Sequence, residues 1–326
     1  MMRFVTIALA IMATGPVRAD VEQVLTDVIL PGYANFATSA HELATAAGAD
    51  CTAAALAPAY QSTFDAWTGV ADLRLGPAES GGLAVAFWPD ERGTGPRKLS
   101  ALIAARDPVG RDPKAYASIS IAARGLTALD LLLFAPDYAY AAGDYTCVLV
   151  QTVTADLAHQ ADALAAGWAD HAALMRSAGA AGNLTYLDQT EVQRAIFTQI
   201  LTAFAHTSDN RLGRPLGTFD RPRPTRAEGW RSGRPLANVI GSAQAATDLA
   251  RALTGQPMPL TDTALVALLN AADLVDDPSF QTIADPQIRL QVEIVQQRLR
   301  ALKDAIEVEV GGALNITAGF NAMDGD

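Results

Sequence analysis

The sequence predicts an all-α protein made of two antiparallel helical-bundle halves, and three observations predict it. Half of the 326 residues are apolar, and alanine, the strongest helix former, is abundant. Several long runs place apolar residues alternately three and four positions apart, which is the spacing of one helix face. Strand-like alternation occurs only at Ala117 to Ile121 (ASISI), too short and isolated to change the class.

The clearest helix lies near the end of the chain. Ile288, Val292, Val295, Leu299, Leu302 and Ile306 form its apolar stripe, Asp285 is a natural N-cap, and Pro286 takes the first helical position. Gly311-Gly312 is the expected stop. A second long helix is predicted from Tyr145 to Ser177, with Val150, Val153, Leu157, Leu164, Trp168 and Met175 on one stripe. A third opens on Asp188 and Glu191, three apart as in a capping box, and turns Val192, Ile196, Ile200 and Phe204 inward. Residues 21–47, 51–70, 97–106, 114–134, 235–254 and 261–275 also read as helices, the first bent or broken by Pro31. The Gly/Ala-rich stretch from Ser177 to Leu187 marks the break between a first half, 20–178, and a second, 188–326.

The start of the chain predicts export. Arg3 precedes a short apolar run from Phe4 to Met12, too short to span a bilayer, and Val17-Arg18-Ala19 forms a small-x-small cleavage site. Cleavage after Ala19 leaves a periplasmic chain of 307 of the 326 residues, with no later run long enough for a membrane span. A net charge of −11 and a pI near 4.8 argue against nucleic acid as a partner, because phosphate binding needs a basic face. Cys51 and Cys147 are the only cysteines. In an oxidising compartment they read as one disulfide, with two free buried thiols as the other reading. A bridge closing a loop of that length stabilises by roughly 4–5 kcal/mol in the chain-entropy model. Two cysteines alone make no metal site.

Two connections are unusually long, Leu75 to Arg97 and Thr207 to Pro235, and they fall in different halves. Long irregular segments in compact domains are commonly functional, so a site between the halves is the natural expectation. The second connection carries Arg211, Arg214, Arg221, Arg223, Arg226, Arg231 and Arg234 against only Asp220 and Glu228. Guanidinium forks suit carboxylates and phosphates, and they equally suit acidic residues of the first half, which would fasten the bundles together. Asp130 lies within one of the most apolar helices, with Thr127 three residues earlier on the same face. A buried carboxylate there is costly unless it is paired with an arginine or holds a ligand. The zinc-helix and nucleophile-elbow patterns are missing. His159 and His171 are twelve apart and do not converge, His41 lacks a following partner, and His206 ends a helix.

Four segments together resemble the imelysin-like family: GPAESGGLAVAFWPDERG at 76–93, GLTALDLLLF at 125–134, AEGWRSGRPLANV at 227–239 and the terminal GFNAMDGD. The resemblance runs from about Tyr33 to the last residue. It implies an exported bacterial protein of two helical halves, associated with iron uptake or regulation, with a peptidase label inherited from an early member. The family signature is G-x-H-x-x-E, whose His and Glu are proposed metal ligands. Here Gly125 matches, Thr127 stands in place of the His, and Asp130 in place of the Glu. Threonine is a poor ligand for borderline transition metals, which prefer imidazole, whereas an oxygen-rich site could add Glu79 or Asp90.

The expectation is a non-enzymatic ligand- or metal-binding protein of iron uptake or homeostasis. Its pocket is expected between the halves, lined by Gly125, Thr127, Asp130, Glu79, Trp88, Arg231 and Arg234, with iron or another metal as candidate cofactor and Asp130 and Glu79 as candidate ligands. The alternatives are a metallopeptidase, as the family label implies, and a structural module that meets another envelope protein.

Overall fold

The computed structural model describes residues 21–315. The predicted export signal and the terminal GFNAMDGD lie outside that range.

Among the described residues the chain is helical, with no strand beyond an isolated bridge between Thr218 and Arg221. It begins with α1 (Val21–Gln23), continues through a π-helical turn (Val24–Ile29) and runs on without interruption as α2 (Leu30–Ala49). Pro31 therefore does not break this rod. Its missing N–H falls at the first turn of α2, and the π turn before it absorbs the misfit. α3 (Ala53–Thr68) returns beside α2, and α4 (Pro77–Val85) and α5 (Thr94–Ala105) follow. Next come α6 (Pro113–Tyr116), α7 (Gly125–Phe134) and the long α8 (Tyr145–Arg176), which packs against α2, α4, α6 and α7. Its predicted stripe, from Val150 to Met175, is buried throughout. Tyr33 stacks on Trp168 at 5.3 Å between ring centroids and Phe36 meets Trp67 at 5.1 Å, so large rings fill the space between α2, α3 and α8.

Residues 177–188 lead to α9 (Gln189–His206), where the Asp188 carboxylate accepts the Glu191 N–H at 2.9 Å and the Glu191 carboxylate accepts the Leu187 N–H. A π turn (Thr207–Leu212), α10 (Gly213–Leu216) and an irregular loop precede α11 (Pro235–Thr254), α12 (Pro259–Ala272) and α13 (Pro286–Leu314). Asp285 caps α13 through the Gln287 and Ile288 N–H groups. The buried apolar side chains of both halves belong to one continuous core, and α11 packs against both α3 and the first π turn.

Three further sequence expectations change. The predicted helix 114–134 is broken into α6, a 3-10 turn (Ile121–Ala123) and α7, because the chain folds back on itself and the Tyr116 hydroxyl donates to the Ala123 carbonyl at 2.6 Å. The connection Leu75 to Arg97 contains α4, whose helical signal is masked by two glycines. A Cβ at Gly81 would come within 2.9 Å of the Leu164 side-chain tip, so glycine lets α4 lie close against α8 without displacing that leucine. The last helix runs through Gly311-Gly312 and stops only at Asn315, which takes the left-handed conformation.

Cys51 and Cys147 form a disulfide at one end of the first half, with Cα atoms 5.4 Å apart. The Tyr140 hydroxyl donates to the Cys51 carbonyl at 2.6 Å and holds that corner closed.

Candidate functional site: a cleft at the seam of the two halves

The site begins with a close backbone approach. Gly125 opens α7 at φ +67°, and a Cβ there would stand 2.1 Å from the Val85 carbonyl oxygen. Only glycine allows the start of α7 to abut the end of α4. That contact lays the segment following α4 alongside α7. Thr127 and Asp130, one turn apart, then share a cleft with Trp88 and its neighbours Pro89, Asp90 and Glu91.

The opposite wall comes from the second half. The turn Gly229–Arg234 docks on α3 and α7: the Ser232 carbonyl accepts from the Gln61 amide at 2.9 Å, and Ser232 donates both its N–H (3.2 Å) and its hydroxyl (2.5 Å) to Asp130. Arg231 reaches within 3.7 Å of the same carboxylate, with its guanidinium 4.3 Å from the Trp230 ring centroid. Arg214 and Arg226 complete that wall, and the cleft they enclose has a volume of about 340 Å³. Asp130 is nearly inaccessible, and burial pushes its carboxyl above the usual carboxylate range, against the pull of the Ser232 hydrogen bond and the Arg231 charge.

Thr127, Asp130, Trp88 and Arg231 thus meet at one cleft. Glu79 does not. It sits exposed on the first turn of α4, whereas the other end of that helix adjoins α7. Arg234 is likewise no part of the lining. It is buried, donating to Gln61, Asp65 and Asn238, with its guanidinium 4.4 Å from the Phe64 ring centroid. Gly125 shapes the wall from behind through its fit against Val85.

Behind the cleft lies a buried ionic network. Arg211 donates to Asp72 at 2.7 Å and to Glu228 at 2.8 Å, and also to Thr207 and Ser242. Asn238 bridges Glu228 to Arg234. Burial pushes the Asp72 carboxyl up, but Arg211 foremost, with His206 and Ser242, more than offsets this and holds it at about 2. His206 stands edge-on to Trp88, 6.0 Å between centroids, and burial lowers its imidazole below the usual range. Four of the loop arginines therefore pair with acids of the first half: Arg211 with Asp72, Arg214 with Glu91, Arg231 with Asp130 and Arg234 with Asp65.

The sequence reading missed Ser232, Trp230, Arg214 and Arg226 as cleft residues. The arginines stood out only as a group, and nothing in local spacing announces that Ser232 reaches a carboxylate 102 positions earlier. A transition-metal ion of the kind imidazole ligands hold does not suit this donor set. The Asp130 oxygens are turned toward Ser232 donors and a fixed guanidinium charge, and Thr127 offers only a hydroxyl. Among the described residues no group of three or more His, Cys, Asp or Glu side chains gathers as a metal site.

Fold and site together define an all-helical protein with a polar, arginine-lined cleft. Among the described residues no helix is long and apolar enough to cross a membrane. The chain belongs to the imelysin family (peptidase M75), whose family model matches residues 29–309. Its structure is similar to that of an imelysin-like protein from Psychrobacter arcticum 273-4, with a TM-score of 0.74 and 19% identity, covering 93% of this chain and 100% of that one. It is also similar to a protein described as an iron-regulated protein A precursor from Parabacteroides distasonis ATCC 8503, with a TM-score of 0.72 and 13% identity over 90% and 94% of the two chains. No curated protein matches the sequence. At these identities the structural likeness bears on fold alone.

Proposed function

We propose that the protein is an exported, non-enzymatic member of the imelysin family that binds a small ligand in the cleft between its halves, as a component of iron uptake or homeostasis. The observation that carries this reading is the convergence of Asp130, Trp88, Arg214 and Arg231 on one cleft of about 340 Å³ fed by both halves. Small-molecule sites favour such concave seams, with a few fixed polar groups on a partly apolar wall. Guanidinium forks, indole rings and a held carboxylate are recognition groups. Among the described residues the lining holds no histidine or cysteine to serve as base or nucleophile. The Cys51–Cys147 bridge suits an oxidising compartment, as does the start of the chain. The link to iron is supported by the description of the Parabacteroides protein and by what the family resemblance implies.

Native mass spectrometry with elemental analysis, on protein purified from its own periplasm, tests this reading. A co-purifying small molecule that is lost in Asp130→Ala and Arg231→Ala is the expected result. Retention of the same bound species by both variants, with stability unchanged, sinks it. Cleavage of a peptide library, abolished by chelation, sinks the non-enzymatic part and points to a metallopeptidase instead.

A further inference from the structure

The charges around the cleft look balanced, with Asp90, Glu91 and Asp130 facing Arg214, Arg226 and Arg231. Their hydrogen bonds undo that balance. Asp90 is committed to the start of α5, where its two oxygens accept the Thr94 and Gly95 N–H groups at 2.9 and 2.7 Å. Glu91 is paired with Arg214. Asp130 accepts two bonds from Ser232. Two cations remain. Arg226 is exposed at the cleft with no hydrogen bond or ion pair to another described side chain. Arg231 makes only a long ion pair with Asp130, at 3.7 Å, so its planar fork, held over Trp230, keeps most of its donors open.

A held guanidinium with free donors matches a carboxylate in two-point geometry. The apolar share of the wall, which includes Trp88, Pro89, Leu131 and Trp230, offers a flat partner to a ring or chain, and the volume exceeds what a bare inorganic anion fills. Resting on the reading of the cleft as a ligand site, we propose that it takes a small organic carboxylate with a planar apolar body, received by Arg226 and Arg231 and packed along the indoles of Trp88 and Trp230.

The test uses the full chain and four isolated probes: benzoate, its neutral analogue benzamide, its cationic analogue benzamidine, and inorganic phosphate, each titrated by calorimetry and by NMR at low salt. Benzoate is expected to bind at least tenfold more tightly than the other three, and to weaken as salt rises. Arg231→Gln and Arg226→Gln are each expected to weaken benzoate by about tenfold, the effect of one lost charge-assisted contact. Arg226 is exposed and unpaired, so its variant keeps the test open if Arg231→Gln fails to fold. Preference for benzamide, benzamidine or phosphate, or benzoate binding indifferent to both variants, overturns the carboxylate assignment while leaving the cleft as a site. Failure of every probe to bind removes the cleft as a site and the assignment with it.

Discussion

Asp130, which is buried, and Asp72, which is largely shielded, sit in opposite electrostatic circumstances. Asp72 is held at about 2 against an ordinary value of 3.8, so the fold favours its charged form. Its contribution to stability is complete above about pH 4 and is lost as pH falls through its folded value. Asp130 is raised, so the folded chain binds its proton more tightly than the unfolded chain, and the charge destabilises the fold above the raised value. Asp72→Asn should therefore cost about 2–3 kcal/mol at pH 7, with the loss shrinking toward pH 2. Asp130→Asn, which keeps an acceptor for Ser232, should leave stability at pH 7 unchanged or higher. Urea denaturation across a pH series reads both. Arg211→Met should cost about 3–5 kcal/mol, because it leaves Asp72 and Glu228 buried without their shared cation. The sequence made Asp130 visible as a charge in an apolar helix, and Trp88 and Arg231 as members of long connections. It could not separate Arg231, which makes only a long pair with Asp130, from Arg234, which is spent on Gln61 and Asp65, because that difference is made by α3, 169 residues away in the chain.

At the scale of elements, the helices that were legible are those with their own caps and stripes. Asp188 and Asp285 announce α9 and α13, and the period of α8 holds from Val150 to Met175. What was not legible depends on packing between elements. α4 lies close against α8 at Gly81, and α7 begins where it does because Gly125 lets it touch the end of α4. Gly125→Ala should accordingly cost at least about 2 kcal/mol, from a positive φ and a carbonyl in the way of the new methyl, and should widen the cleft. Gly312 is the opposite case. It lies in an exposed helical turn with open space around its Cα, so Gly312→Ala should raise stability by about 0.5–1 kcal/mol in the same denaturation assay.

Over the whole molecule, the halves are joined by a shared core and by arginine pairs, of which Arg211–Asp72 is shielded from solvent on both sides while Asp65 and Glu91 stay exposed. The reading of the arginine loop as a fastener holds for Arg211, Arg214 and Arg234, whereas Arg226 is unpaired and Arg231, in a long pair with Asp130, keeps donors to spare. One loop thus both fastens the bundles and furnishes the cleft. Cys51→Ser with Cys147→Ser should lower unfolding free energy by about 4 kcal/mol, since the bridge closes a span of 96 positions in the unfolded chain. Comparing wild type in the presence and absence of reductant should give the same loss.

That bridge also divides the chain into a portion enclosed by a covalent ring and a portion outside it. Trp88 and Asp130 come from inside the ring, and Arg226 and Arg231 from outside. A protease that cuts after the exposed Arg92 leaves two pieces still tied through sulfur, which run as one band on a denaturing gel until reductant separates them. A cut after the exposed Arg226 severs nothing that the ring holds together, so its two pieces separate with or without reductant. The two walls of the cleft can therefore be told apart by gel mobility alone, and protection of either cut by a bound molecule would report which wall that molecule covers.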